Sequence, residues 1–490
     1  MSAYFLENFG CRATQADGAA IEQQLLGLGL ARAATPTNAQ VVVLNTCTVT
    51  AAADADARAT IRRIHRENPQ CKIMVTGCYA QRAPQEIAAL PGVTWVVGNS
   101  HKSRVASLAA EGMERKPAHT APPDFANLES ARYVTAQNGS SAENFVSLSE
   151  LSGHAHLPEA NLQLVGNIFA HTELMAAPVF EGGGETNSRT RPNLKVQDGC
   201  GNRCSFCVIP FVRGNSRSLK LEAVLRECDA LVAAGYREVV ISGINLGRWG
   251  RDFPAPARFR FEDLVTAILE RTGVERLRIS SVEPMDWSPE LIALMAGSDR
   301  ICKHAHVPLQ SGSDRVLRMM HRKYRPWHYA NRIRHIRAAM PEAAIGADVM
   351  VGFPGETEEL FAENRRFIAD LPFTYLHVFT YSSRLGTAAA KMPDHVPVHV
   401  ARERNRILRE LVAEKNAAFR QSFVGNTLEA ITLHGNHDGS TEALTNNFLK
   451  LRIVGAHAAN QLLRVSITGL TGSGLVGEAL GTSGPPHPHA

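Results

Sequence analysis

The chain has 490 residues, 44% of them hydrophobic, and a formal charge of +5, a size that suits two to four globular domains. No apolar run approaches the ~18–20 residues needed to cross a membrane, and Met1-Ser2-Ala3-Tyr4-Phe5 lacks the basic and apolar regions of a signal peptide. Nine cysteines, an odd number, argue against a complete disulfide framework and for reduced thiols in a cytoplasmic chain; a pI of about 8.7 permits RNA or another anionic partner without demanding one.

Residues 1–112 repeat one theme. Strand patterns at Ala3–Leu6, Val41–Thr46 and Lys72–Gly77 each run toward a cysteine: Cys11, Cys47 and Cys78. Helical patterns at Ala19–Leu28, Asp56–Glu67 and near Pro84 alternate with them, and a fourth strand follows at Trp95–Val97. Such alternation predicts a doubly wound parallel sheet, whose strand C-termini share one ligand-binding edge. Cys11, Cys47 and Cys78 would meet there as a second three-thiolate cluster site. The alternative is three unrelated buried thiols. Cys71 precedes its strand, so it belongs to the opposite edge.

Residues 113–190 mix Pro-Pro, Asn-Gly-Ser-Ser and Gly182-Gly183-Gly184 with short apolar pieces and hold no period. They are expected to form an insertion or linker, at least partly disordered. Strand–helix alternation returns over residues 191–421. Strands are expected at Leu194–Val196, Glu238–Ser242, Arg276–Ser280, His304–Pro308, Ala347–Val351 and Tyr375–Thr380. Six βα units predict a partial parallel barrel with its site at the C-terminal strand ends. A charged helix from about 398 to 421 tethers a last domain. Residues 422–480 carry short β-patterned runs that predict a small β-barrel, and 481–490 form a disordered tail.

The barrel's first strand leads into Cys200-Gly201-Asn202-Arg203-Cys204-Ser205-Phe206-Cys207. Three thiolates at C-x₃-C-x₂-C spacing suit one face of an iron–sulfur cube, with the fourth iron left open for chemistry. A zinc site would need a fourth Cys or His nearby, a disulfide would leave one thiol over, and the ferredoxin run has another spacing. Cys228 falls on a helical apolar face, and Cys302 carries no ligand pattern. Small polar groups cluster at the other strand ends: Ser242, Gly243 and Asn245 after the second, Ser281 and Glu283 after the third, Gln310 after the fourth and Gly352 after the fifth. Together they suit a pocket for a nucleoside with an amino-acid tail. Arg213 and Arg217 follow the cysteine loop. Arg315, Arg318, His321, Arg322, Lys323 and Arg325 form a basic run, either a solvated helix face or a phosphate contact.

The cysteine loop, with its aromatic before the last Cys, resembles the radical S-adenosylmethionine superfamily. Arg191–Cys200 and the stretch from Val208 to Ser218 look like its methylthiotransferase branch. Asn8-Phe9-Gly10-Cys11, Asn45-Thr46-Cys47 and Thr76-Gly77-Cys78 resemble that branch's three N-terminal cysteine motifs, although Ala13-Thr14 stand where Val-Asn is common. Phe423–Glu429 and Thr445–Leu451 resemble a TRAM domain, an RNA-binding barrel, as against a generic β-domain with inward aromatics. The resemblance implies two [4Fe–4S] clusters, one at Cys200, Cys204 and Cys207 and one at Cys11, Cys47 and Cys78. It implies S-adenosylmethionine at the strand-end residues, an electron donor such as flavodoxin or ferredoxin, and the anticodon loop of tRNA as partner. Tyr79-Ala80-Gln81 and Asn245-Leu246-Gly247 look most like the bacterial enzymes that place a methylthio group at C2 of N6-threonylcarbamoyladenosine. Isopentenyladenosine or a ribosomal-protein aspartate is the alternative target, and a non-catalytic iron–sulfur carrier or a zinc-stabilised RNA-binding protein the alternative function.

Overall fold

The computed structural model of the chain describes residues 3–114, 162–171, 174, 190–256, 258–435, 439–472 and 474–482. Its N-terminal part is an all-parallel sheet. The strands run in the order Ala31–Arg32, Ala3–Asn8, Val41–Thr46, Lys72–Gly77, Val93–Gly98 and Leu162–Leu164. Val41–Leu44 is apolar throughout because helices cover both faces: Val42 and Leu44 join one core, Val41 and Val43 the other. The last strand comes from the stretch expected to be a linker. Leu162–Leu164 pairs with Trp95–Val97, and Gly166 is held by Ser100 and Gln81. Three residues are too few to show a period, so the pattern concealed this strand. Residues 115–161, 172–173 and 175–189 of the expected linker lie outside the described residues, as do residues 483–490 of the expected tail, whose first two residues instead end the last strand, Leu475–Thr482.

The first helix, Arg12–Gly27, begins earlier than its apolar period suggests. Its leading turns bury Ala13, Thr14, Ala16, Asp17 and Gly18, small or polar residues that leave no hydrophobic signature. Gly18 lets the helix pass close to Asn8, whose side chain would have to move for a Cβ that lies 1.9 Å from its Oδ1.

Six parallel strands form the central half-barrel: Asn193–Asp198, Glu238–Gly243, Arg276–Ile279, His304–His306, Ala344–Val351 and Tyr375–Thr380. The third and fourth are joined by Cys302 N–H to Leu277 O (2.9 Å) and Val282 N–H to His306 O (3.1 Å). Outward residues such as Leu194, Val196, Val239, Ile241 and Leu277 pack under the helices with Cys228. The buried Lys195, Gln197, Glu238, Arg276, Arg278, His304 and His306 occupy the alternate positions, where barrels of this type usually stack branched apolar side chains. Below this polar interior sits the C-terminal domain, a closed five-stranded barrel reached by the helix Val398–Gln421. Arg276 donates to Leu444 O, Arg278 donates to Thr445 O and Asn446 O, and Phe448 stacks on His304 with centroids 4.3 Å apart. Among the described residues, no helix is long and apolar enough to cross a membrane.

Glu238 anchors this lower end, pairing with Arg278 (2.8 Å) and Arg276 (3.1 Å). Burial alone would raise its carboxyl, but the two guanidinium groups overcome this and hold it at about 2. A depressed carboxyl stabilises the fold above the ordinary value of 4.5 and loses that contribution as pH falls toward 2. Glu238→Gln strands two buried cations and is expected to cost about 3–5 kcal/mol in chemical denaturation. It should also flatten the acid-unfolding profile between those two pH values.

Candidate active site

The first barrel strand ends at Asp198, and Gly199 turns the chain into the cysteine loop. Its φ is +72°, and a Cβ there would lie 1.9 Å from Asn215 O, so only glycine fits. Cys200 N–H donates to Gly214 O (3.0 Å), and Ser205 is held by the carbonyls of Met319 and Met320. The sulfurs are met by donors. Cys200 Sγ accepts from Asn202 N–H (3.4 Å) and Asn245 Nδ2 (3.5 Å), and Cys204 Sγ accepts from Arg322 (3.1 Å). Burial pushes the Cys207 thiol up to about 12, and Cys204 and Cys200 nearby push in the same direction. Burial raises the Cys200 thiol as well; crowded sulfurs with N–H donors aimed at them suit a metal cluster whose positive charge makes thiolates favourable. A cavity of about 400 Å³ opens on all three, bounded also by Phe169, Phe211, His321 and Lys391.

At the barrel rim several buried polar atoms have no partner: Ser242 Oγ, Asn245 Oδ1 and Gln310 Oε1, whereas His306 Nε2 lies 3.4 Å from Asp348. Each unpartnered atom is costly unless a ligand satisfies it, by about 1–3 kcal/mol. A nucleoside bearing amino and carboxylate groups fits that set. Gln310 takes a left-handed backbone (φ +67°) to reach the rim. Ser281 bonds His306 Nδ1 at 2.6 Å, and Glu283 pairs with Arg322, so both act on neighbours. Gly243 packs on Gln197, where a Cβ would lie 2.9 Å from Oε1. Gly352 lies apart from this group: its N–H donates to Glu356, and a Cβ would meet that of Ala401 on the tether helix at 2.5 Å.

The N-terminal cysteines sit at the three strand ends. Cys11 precedes the first helix, Cys47 follows Val41–Thr46, and Cys78 opens a short helix after Lys72–Gly77. Gly10 (φ +92°) passes so close to Cys47 that a Cβ would lie 2.5 Å from its Cβ and 2.8 Å from its sulfur. Burial pushes the Cys47 thiol up to about 11, helped by Cys78 and Cys11. Asn99 Nδ2 donates to Cys78 Sγ (3.5 Å) and to Val212 O (2.7 Å). Cys78 itself packs against Val208 and Val212, so the two cysteine loops adjoin. Cys71 is buried away from them, in the core beneath the sheet.

Several residues that shape this region carried no such signal in the sequence. Arg322, part of the basic run, is buried between Cys204 and Glu283 rather than offered to phosphate, whereas Arg318 and Arg325 pair with Asp314. Arg213 is buried between Asp198 (3.0 Å) and Asp17 (3.1 Å). Asp17 also meets Lys102 (2.6 Å) and Lys195. A lysine between Leu194 and Val196 was the one available hint of a buried ionic contact.

Sequence comparison agrees with this architecture. A family described as uncharacterized protein family UPF0004 matches residues 3–98, and the radical SAM superfamily matches residues 194–368. The threonylcarbamoyladenosine tRNA methylthiotransferase MtaB of Bacillus subtilis is 34% identical over 92% of this chain and 90% of its own length. The tRNA-2-methylthio-N(6)-dimethylallyladenosine synthase of Syntrophobacter fumaroxidans is 30% identical over 98% of this chain and 96% of its own. Among solved structures, the radical S-adenosylmethionine methyltransferase TsrM of Kitasatospora setae superposes with a TM-score of 0.54 at 14% identity, covering 80% of this chain and 77% of that one. That likeness concerns the fold. Membership of the superfamily brings S-adenosylmethionine and a [4Fe–4S] cluster as cofactors. The chain belongs to the radical SAM tRNA methylthiotransferases.

Proposed function

We propose that the chain inserts a methylthio group at C2 of N6-threonylcarbamoyladenosine in tRNA, next to the anticodon, using two [4Fe–4S] clusters. Cys200, Cys204 and Cys207 would hold the cluster with the open iron, and Cys11, Cys47 and Cys78 the second. The observation that carries the reading is the pair of differently built cysteine triads whose loops adjoin at Cys78, Val208 and Val212. The choice of base rests on the likeness to the Bacillus relative over nearly the full length of both chains. Dimethylallyladenosine is the second reading, favoured by the Syntrophobacter relative.

An adenine C2 hydrogen is not acidic enough for a side-chain base. The bound cluster and S-adenosylmethionine supply one-electron chemistry able to break such a bond. The chain's own residues bind and orient. Ser242, Asn245 and Gln310 offer their unpartnered atoms to the amino-acid and nucleoside groups, and Arg322 and Asn245 hold the sulfurs of Cys204 and Cys200. A cytoplasmic flavodoxin or ferredoxin type of carrier would supply the electron, and the C-terminal barrel would engage the tRNA.

Nucleoside mass spectrometry of tRNA from cells lacking the gene is expected to show threonylcarbamoyladenosine without its methylthio group. If the group persists there, the base is wrong. Anaerobic incubation with S-adenosylmethionine and dithionite should yield 5′-deoxyadenosine; none would leave only an electron carrier. Reconstituted protein should hold about eight irons, falling to about four in Cys11→Ala/Cys47→Ala/Cys78→Ala; equal counts would remove the second cluster. Arg322→Met takes a cation and a donor from Cys204. The midpoint potential of that cluster, followed by electron paramagnetic resonance, should move to more negative values, with Arg322→Lys recovering part of the shift.

A further inference from the structure

Behind the N-terminal triad lies a small polar cavity bounded by Lys102, Arg213, Arg217, Asn99, His171, Asp17 and Asp198. Its free space is about 20 Å³, where ~10–15 Å³ suffices for one water. The guest is therefore of one or two atoms. The wall is strongly cationic. Asp17 and Asp198 are the carboxylates of this ionic cluster, and they face Lys102, Lys195, Arg213 and Arg217. Four cations around two carboxylates leave a formal surplus of two positive charges. All six side chains are at least nine-tenths shielded from solvent.

Two guanidinium donors are left over. Arg213 spends its terminal nitrogens on Asp198, Asp17 and Thr14, and its buried Nε has no partner. Arg217 donates one terminal nitrogen to the carbonyls of Arg213 and Asn215, and its Nε is likewise unpartnered. Asn99 Oδ1 is a third unpartnered atom, although the amide's other end bonds Cys78 Sγ. Burial, with Arg213 beside it, pulls the Lys102 ammonium down against Asp17, a placement that an anionic guest would relieve.

We propose that this cavity is a small-anion site that takes hydrosulfide, held by Lys102, Arg213 and Arg217 beside the Cys78 corner of the second triad. Resting on the sulfur-insertion reading, the proposal names the form and entry point of the sulfur. Hydrosulfide is a monoanion close to the heavier halides in size. Its S–H hydrogen can be accepted by Asn99 Oδ1, which a halide leaves unused. Asn99 spans the gap to Cys78, so the guest sits one side chain away from a cluster ligand.

The test uses reconstituted holoenzyme and bromide as the probe. Crystals soaked in sodium bromide should give an anomalous bromine peak in the cavity at the bromine edge. Arg217→Gln should lose the peak, and Arg217→Lys should restore it. With sodium sulfide as added sulfur source, the half-saturating concentration should rise about tenfold in Arg217→Gln. Bromine found only at surface positions, an adventitious ion only, overturns the proposal, and so does equal occupancy in wild type and Arg217→Gln. If bromide enters only after Cys11→Ala/Cys47→Ala/Cys78→Ala, the surplus charge serves the cluster itself and the proposal falls. The iron count tests the second cluster separately, so the two failures are distinguishable.

Discussion

The contact between Asp17 and the pair Lys195 and Arg213 joins the N-terminal sheet to the barrel. A half-barrel of six strands leaves one flank open, between its first and last strands. The helix Arg12–Gly27 packs on the first strand and brings a carboxylate to the lysine that projects from it. Buried charges tolerate no loose geometry, since each loses hydration and must recover it from a partner. Burial alone would raise the Asp17 carboxyl, yet Lys102, Lys195 and Arg213 hold it below the ordinary carboxylate range. The same helix starts at Cys11, and the same arginine lies six residues beyond Cys207. The ionic contact therefore sets how the two triads face one another.

Polar filling of the barrel follows from the same design. Apolar layers would close the centre, whereas ion pairs and imidazoles leave directional groups to be satisfied from outside. At the upper rim the unsatisfied atoms are Ser242 Oγ, Asn245 Oδ1 and Gln310 Oε1. At the lower end Arg276 and Arg278 would be equally exposed without Glu238 and the carbonyls of the C-terminal domain. The domain that resembles an RNA-binding module is thus also the floor of the barrel.

How far the sequence disclosed this depends on the range of each signal. Strands such as Val41–Thr46 and Lys72–Gly77 emerge with the same boundaries, because burial on both faces writes a continuous apolar run. The strand-end positions of Cys11, Cys47 and Cys78 are equally legible, since each cysteine directly follows or closely trails an apolar strand in the sequence. Asp17 was invisible: its helix face is Ala, Thr, Asp and Gly, chosen for close approach rather than for hydrophobicity. Leu162–Leu164 was hidden by shortness. Arg322 was visible as a charge but not as a buried one, since a run of basic residues looks the same whether its members face solvent or a sulfur.

Thr445-Asn446-Asn447-Phe448 shows where a motif and its use part. The segment looks like nucleic-acid binding by resemblance, yet the side chains of Thr445, Asn447 and Phe448 are engaged internally. Thr445 Oγ1 bonds Asn447 Oδ1 (2.6 Å) and accepts from Leu449 N–H (2.8 Å), while Asn447 Nδ2 reaches Glu342 O (3.1 Å). These bonds hold Phe448 in a left-handed backbone (φ +67°), a conformation costly for an aromatic residue. The strain is balanced by the ring's position on His304 and 5.5 Å from Arg278. Any shift of the domain would withdraw a ring from the barrel floor, so the placement of the C-terminal domain and the shape of the barrel are mechanically coupled.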